Sequence, residues 1–318
     1  MYGAAAVVAA WGLWQFSNFR QKLLADVPAP VHSSVAAEDP SAEVQTLMLD
    51  DSRTTDPWAN ATTPTLGAVV GEAAGAGRGE AGAAAAPART PDEWLTMGST
   101  LLNQNRVPQG RAALNAALLI LGNDTRAPIL RQQLAAMNTN IFLGAAIVPE
   151  DTAAPVVEIR PGDSFLKIGR RYDIPAGLLE SLNPGVNSRS LRTGGGIKVV
   201  QGPFHLRYTK SGRRLDLYAR DLYVKSYDAI VEEGDLLPRG TYRIKAATKI
   251  TVGGTVWVGF EGVSAEARQI TIGWIYGSSG PRLGRNRGLP SGLKVSDEDM
   301  RQLYNTVVES DSLLRVEP

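Results

Sequence analysis

Ser291 and Lys294 stand three residues apart in "LPSGLKVSDED". A serine and a lysine at that spacing can serve as a nucleophile and its base, provided both side chains share one face at a helix start beside an oxyanion hole. Here the pair falls in a Gly/Pro-rich loop ahead of the helix that Ser296 opens, so no catalysis through Ser291 is expected. A Ser-His-Asp triad or a His-based metal site would have to use one of only two histidines, His32 and His205. His205 reads as a surface residue of a strand. The chain contains no cysteine, which excludes thiolate catalysis, disulfides and Cys-ligated zinc. No cofactor or metal site is expected. The formal net charge of +1 gives no electrostatic case for a nucleic-acid partner.

The elements that would position any chemistry fall into five stretches. In residues 1–24 the chain is apolar from Tyr2 to Phe16 except for Gln15. As a helix this run is about 22 Å long, against a hydrocarbon core of ~30 Å. Trp11, Trp14 and Phe16 suit an interfacial belt, with Arg20 and Lys22 beyond it, and the stretch reads as a membrane anchor. A signal peptide and a buried apolar helix are the rival readings. The basic residues follow the span, so the positive-inside rule alone would hold the bulk of the chain in the cytoplasm. A start upstream that supplies basic residues would reverse this. Residues 25–89 are rich in Ala, Gly and Pro and carry nine acidic and three basic residues. That composition predicts a disordered tether.

Residues 90–145 read as three helices. Thr90, Pro91 and Glu93 form a capping-box pattern, Pro108 opens the second helix, and the third runs from about Arg126 to Phe142. Trp94, Gly98, Ala113 and Leu118 faintly resemble one tetratricopeptide repeat, and the plainer reading is a helical spacer packed on its neighbours. Residues 155–201 read as strand, helix, helix, strand. Val156–Ile159 alternates, Ser164 caps a helix carrying Phe165, Ile168 and Tyr172, a second helix carries Leu178, Leu179 and Leu182, and Ile197–Val200 closes the unit. Residues 202–318 alternate with period two over Phe204–Tyr208, Leu215–Tyr218, Tyr223–Tyr227, Thr241–Lys245, Val256–Phe260 and Gln269–Ile275. A helix from about Asp297 to Val308 and a strand over Leu313–Val316 end the chain. The fold class expected is multidomain α+β, with a mainly-β sandwich or barrel at the C-terminal end.

The 155–201 segment resembles a LysM domain, through Gly162-Asp163-Ser164, Ile168, Tyr172, Ile174, Leu179, Leu182-Asn183, Leu191 and Gly196-Ile197-Lys198-Val199. The resemblance implies binding of peptidoglycan or another N-acetylglucosamine-containing glycan. The implied groove has Gly162, Asp163, Ser164 and Phe165 on one side and Asn183, Pro184 and Gly185 on the other.

The C-terminal segment resembles the L,D-transpeptidase catalytic domain, through the Pro-x-Gly turn in "LPRGTY" at 237–242 and the closing "SDEDMRQLY". The order of parts is similar to the long transpeptidase-like proteins of planctomycete-type bacteria. That family attacks a peptide carbonyl with Cys, takes the proton with His and supports the site with Arg. The corresponding positions here are Gly292, Tyr276 and Lys294, so the resemblance implies a pseudoenzyme. Arg282, Arg285 and Arg287 read as a solvated loop. The expected protein is non-enzymatic, anchored in the inner membrane with its domains in the periplasm, and binds peptidoglycan there. An enzyme with a replaced nucleophile and an adaptor for other envelope proteins are the alternatives.

Overall fold

A computed structural model describes residues 89–231, 237–252, 255–279, 292–308 and 311–318. The expected anchor, the expected tether, Arg282, Arg285, Arg287 and Ser291 lie outside the described residues. Among the described residues no helix is long and apolar enough to cross a membrane. The fold is mixed α+β, with six α-helices and a mostly-β, nearly closed sheet among the described residues.

Three helices come first: α1 (Pro91–Asn103), α2 (Val107–Leu121) and α3 (Ala127–Phe142). Thr90 Oγ1 accepts from the Glu93 N–H while the Glu93 carboxylate accepts from the Thr90 N–H, so the capping box forms in both directions. A small unit follows: β1 (Val156–Glu158), α4 (Phe165–Arg171), α5 (Ala176–Leu182) and β2 (Gly196–Lys198), the two strands pairing antiparallel with Glu158 opposite Gly196.

The rest forms a nine-stranded sheet. In chain order its strands are β3 (Phe204–Thr209), β4 (Arg214–Ala219), β5 (Leu222–Asp228), β6 (Ile230–Val231), β7 (Gly240–Val252), β8 (Thr255–Gly262), β9 (Gly273–Gly277), β10 (Gly292–Val295) and β11 (Leu313–Glu317). In space they run β5-β4-β3-β11-β7-β8-β9-β10-β6. Only Ala229 separates β5 from β6, although these two strands form opposite edges of the sheet. The chain therefore passes from one edge directly to the other, and this brings the sheet close to closure. Helix α6 (Asp297–Tyr304), capped by Ser296 Oγ on the Asp299 N–H, packs on β8 and β9 through Met300 and Leu303.

Three sequence expectations change here. Gln269–Ile275 is not one strand: Ala267–Gln269 is a 3-10 turn and the strand begins at Gly273. Gly292–Val295 is a strand paired parallel to β9, not a loop. His205 is 4 % exposed, not a surface residue, and its Nδ1 accepts from the Leu313 N–H at 3.2 Å where β11 enters beside β3.

The helices pack on the sheet. Edge strand β5 has an open row of main-chain groups, and two asparagines cover its start. Asn115 of α2 donates to the Asp221 carbonyl and accepts from the Tyr223 N–H, both at 2.9 Å, and Asn138 of α3 donates to the Tyr223 carbonyl. Side-chain amides thus stand in for a tenth strand at Asp221–Tyr223 and block pairing there. The βααβ unit is held just as closely. Lys198 Nζ donates to the carbonyls of Ile141 and Gly144 at 2.7 and 2.6 Å, at the end of α3. Gly202 donates its N–H to the Tyr172 carbonyl, and a Cβ on Gly202 would lie 2.1 Å from the Asp173 carbonyl oxygen, so only glycine fits this junction.

Candidate functional site

Two places carry the residues singled out from the sequence. The first is one end of the βααβ unit. The Ile159 N–H donates to the Gly195 carbonyl and the Gly194 N–H to the Ile159 carbonyl, each at 2.9 Å. The ladder between β1 and β2 is thereby extended, and the turn after Ile159 lies beside the turn before β2. Gly162 has φ +76 and open space around it, which suits a left-handed turn position. Asp163 accepts from the Arg160 N–H at 2.9 Å and from Arg171 Nη2 at 2.6 Å. The Arg171 guanidinium first, then the Arg160 N–H, holds the Asp163 carboxyl below the usual carboxylate range. Ser164 Oγ caps α4 by accepting from the Lys167 N–H, and Lys167 Nζ donates to the Gly162 carbonyl at 2.8 Å. Pro184 and Gly185 are exposed.

Two of the seven expected lining residues are buried instead. Phe165 is 4 % exposed and belongs to the core of the unit, so its ring offers no face to a ligand. Asn183 is buried too. Its Nδ2 donates to the carbonyls of Leu179 and Lys198 at 2.9 and 2.8 Å, and its Oδ1 accepts from the Lys198 N–H at 2.8 Å. The amide is spent on tying the end of α5 to β2. Replacing it leaves buried main-chain groups without partners, at about 1–3 kcal/mol. Asn183→Ala is therefore expected to lower the stability of the whole chain by that amount. Chemical denaturation checks this, and an unchanged midpoint would return Asn183 to the list of free ligand-facing groups.

The second place is the parallel pair β9–β10. Gly292 lies opposite Trp274 and Lys294 opposite Tyr276, and across the other edge of β9 Trp257 lies opposite Tyr276. Directly opposite residues share a sheet face, so Trp257, Trp274, Tyr276, Gly292 and Lys294 share one. The Trp257 and Tyr276 rings stack at 5.6 Å, and Trp274 meets Trp257 edge-on at 6.0 Å. Tyr276 is 5 % exposed and sits in the strand, and the turn that follows begins only at Ser278. A Cβ on Gly292 would lie 2.7 Å from the Trp274 carbonyl oxygen and 2.7 Å from Tyr276 Cε1. Gly292 therefore has no room for any side chain, because the Trp274 carbonyl and the Tyr276 ring occupy the space.

Beside this pair, Asp297 at the start of α6 accepts from the Ser279 N–H at 2.9 Å and from the Ser279 hydroxyl. The hydroxyl first, then the N–H, holds its carboxyl below the ordinary range. Among the described residues no three His, Cys, Asp or Glu gather as metal ligands do.

Sequence reasoning missed the buried polar groups of the helical unit. Arg111 donates through both Nη atoms to Asp151 at 2.7 and 2.8 Å, and the pair is almost wholly buried. The signal was present as polar residues inside apolar runs, Asn115 in "AALNAALLIL" and Asn138 in "LAAMNTNIF".

No family model matches the chain, and no curated protein matches it. The solved structure of Bdellovibrio bacteriovorus Bd1075 is similar at a TM-score of 0.27 and 16 % identity, over 35 % of this chain and 46 % of that one. Mycobacterium tuberculosis L,D-transpeptidase 1 is similar at a TM-score of 0.26 and 8 % identity, over 40 % of this chain and 68 % of that one. Both similarities are weak, and the chain spans less than half the length of the first structure.

Proposed function

We propose that this chain is a glycan-binding protein of the cell envelope, held at a membrane by its N-terminal stretch, with a transpeptidase-like β domain that performs no transpeptidation. The observation that carries the binding half is the pairing of Ile159 with Gly194 and Gly195, which sets two exposed turns side by side at one end of the βααβ unit. Turns of this kind present main-chain groups to acetamido and hydroxyl groups of a sugar chain. The missing cysteine and the crowding at Gly292 support the inactive half.

The test incubates the full chain with purified peptidoglycan, measures the pelleted fraction, and analyses the muropeptides of the same mixture. The expected result is weak, saturable pelleting, with a dissociation constant in the micromolar to millimolar range, about −8 to −4 kcal/mol. The muropeptides should match a control without protein, and a Gly292→Cys variant should create no activity. Absence of pelleting defeats the binding reading. New crosslinks or trimmed peptides that vanish in Ser291→Ala defeat the inactive reading.

A further inference from the structure

We infer that the ligand of the paired turns is an anionic glycan, one that carries carboxylates along its length, and not a neutral sugar chain. The inference rests on the glycan-binding reading above and names its ligand class. The two turns carry one arginine each, Arg160 on one and Arg192 on the other, Arg189 stands on the Asn187–Ser190 turn just ahead, and all three side chains are exposed. None of them takes part in a side-chain hydrogen bond or ion pair among the described residues. Their main chains are nevertheless fixed. The Arg160 N–H is held by Asp163, the Arg189 N–H donates to Asn187 Oδ1 at 3.0 Å, and the Arg192 carbonyl accepts from the Gly195 N–H at 3.0 Å. The ladder at Ile159 then places Arg160 next to the turn that Arg192 begins. Cations are therefore presented on ordered turns, from both sides of the same end of the unit.

The acids nearby do not cancel them. Asp163, the acid within the first turn, is already engaged by Arg171 at 2.6 Å. Glu158 is the other acid at this end, with its carboxylate beside Gly194, and it forms no ion pair among the described residues. Arg160 and Arg192, both unpaired, against one free glutamate leave the end of the unit positive in a protein whose net charge is only +1. A guanidinium meets a carboxylate through two parallel N–H donors, so a glycan bearing carboxylates gains contacts that a neutral chain of the same sugars lacks.

The experiment titrates the full chain with a neutral N-acetylglucosamine oligosaccharide. It then titrates with an oligosaccharide of equal length in which every second sugar is N-acetylmuramic acid, at low and at high salt. The muramic chain should bind tighter, by up to about fivefold for each arginine engaged. That preference should shrink at high salt and fall in an Arg160→Gln/Arg192→Gln variant whose denaturation midpoint is unchanged, these side chains being exposed. Equal affinity for both oligosaccharides, independent of salt and of the two substitutions, overturns the anionic ligand and leaves glycan binding standing. Binding of neither overturns both. Tighter binding of the muramic chain that survives Arg160→Gln/Arg192→Gln also overturns it, because the carboxylates are then recognised elsewhere.

Discussion

Between pH 10 and pH 12 the protein is expected to unfold, after a gain in stability on the way up from pH 8. Burial pushes the Tyr218 phenol from 10 up to about 12, and that of Tyr242, which donates to the Pro238 carbonyl, also to about 12. Burial raises Tyr208 and Tyr223 as well, and it raises Tyr227 with help from the Asp299 charge. The folded chain keeps protons that the unfolded chain releases near 10. Stability from these phenols is complete below 10 and is lost as the pH climbs through their folded values. For Tyr218 alone this amounts to about 3 kcal/mol, a large part of the total for an ordinary domain.

Lys198 acts in the opposite sense. Burial lowers its ammonium from 10.5 to about 8, only partly offset by Asp151, so the unfolded chain holds the proton longer. Its penalty is relieved between those values, which adds up to about 3 kcal/mol as the pH rises. Denaturant midpoints measured across the pH range, with phenolate absorbance followed on the same samples, check both arms. Lys198→Met should remove the rise and leave the fall. A folded protein whose tyrosines all ionise near pH 10 would contradict the burial that the structure assigns them.

Arg111→Ala is expected to cost about 3–5 kcal/mol, since it leaves the Asp151 carboxylate buried with its main partner gone. The Arg111 guanidinium also lies over the Phe142 ring at 4.9 Å, and Asp151 Oδ1 accepts from the Ala153 N–H. The pair thus ties α2, the end of α3 and the approach to β1 together. Replacing both partners, as in Arg111→Met/Asp151→Leu, should recover much of the loss, because no charge is then left without water or a partner. Equilibrium denaturation of the two variants separates these cases. A single variant within about 1 kcal/mol of the parent would place the pair in contact with solvent.

The elements themselves were largely legible. Ser164 and Ser296 announced helix starts because a hydroxyl before an apolar run satisfies a free N–H, and both do so here. The alternation in "FHLRYT" marked β3 but misplaced His205. Its polar face is also covered, by helices that stand more than sixty residues earlier in the chain, as Arg131 of α3 near Asp216 of β4 shows at 3.9 Å. Period-two patterns reveal a strand and one buried face, but they cannot reveal what arrives from elsewhere to bury the other. The same limit hid Asn183, whose turn chemistry was visible and whose partners on β2 were not. Gly292 reads as a loop residue in the sequence because glycine marks turns. Here it marks a strand position whose space an aromatic ring has taken.

The order of the sheet also bears on how the chain can be made. β11, residues Leu313–Glu317, lies between β3 and β7, parallel to the first and antiparallel to the second. Leu314 meets Leu206 on one side and Tyr242 on the other, partners synthesised long before it. A chain emerging residue by residue can pair β3 with β4 and β7 with β8 as it grows, but these pieces stay two separate half-sheets until residue 313 has left the ribosome. Each half carries an inner edge of unpaired main-chain groups during that wait, which is a template for intermolecular pairing. Loop closure over more than a hundred residues makes the final insertion slow. β11 is the keystone of the sheet, and the time before it is set is when the nascent protein most needs protection from its own neighbours.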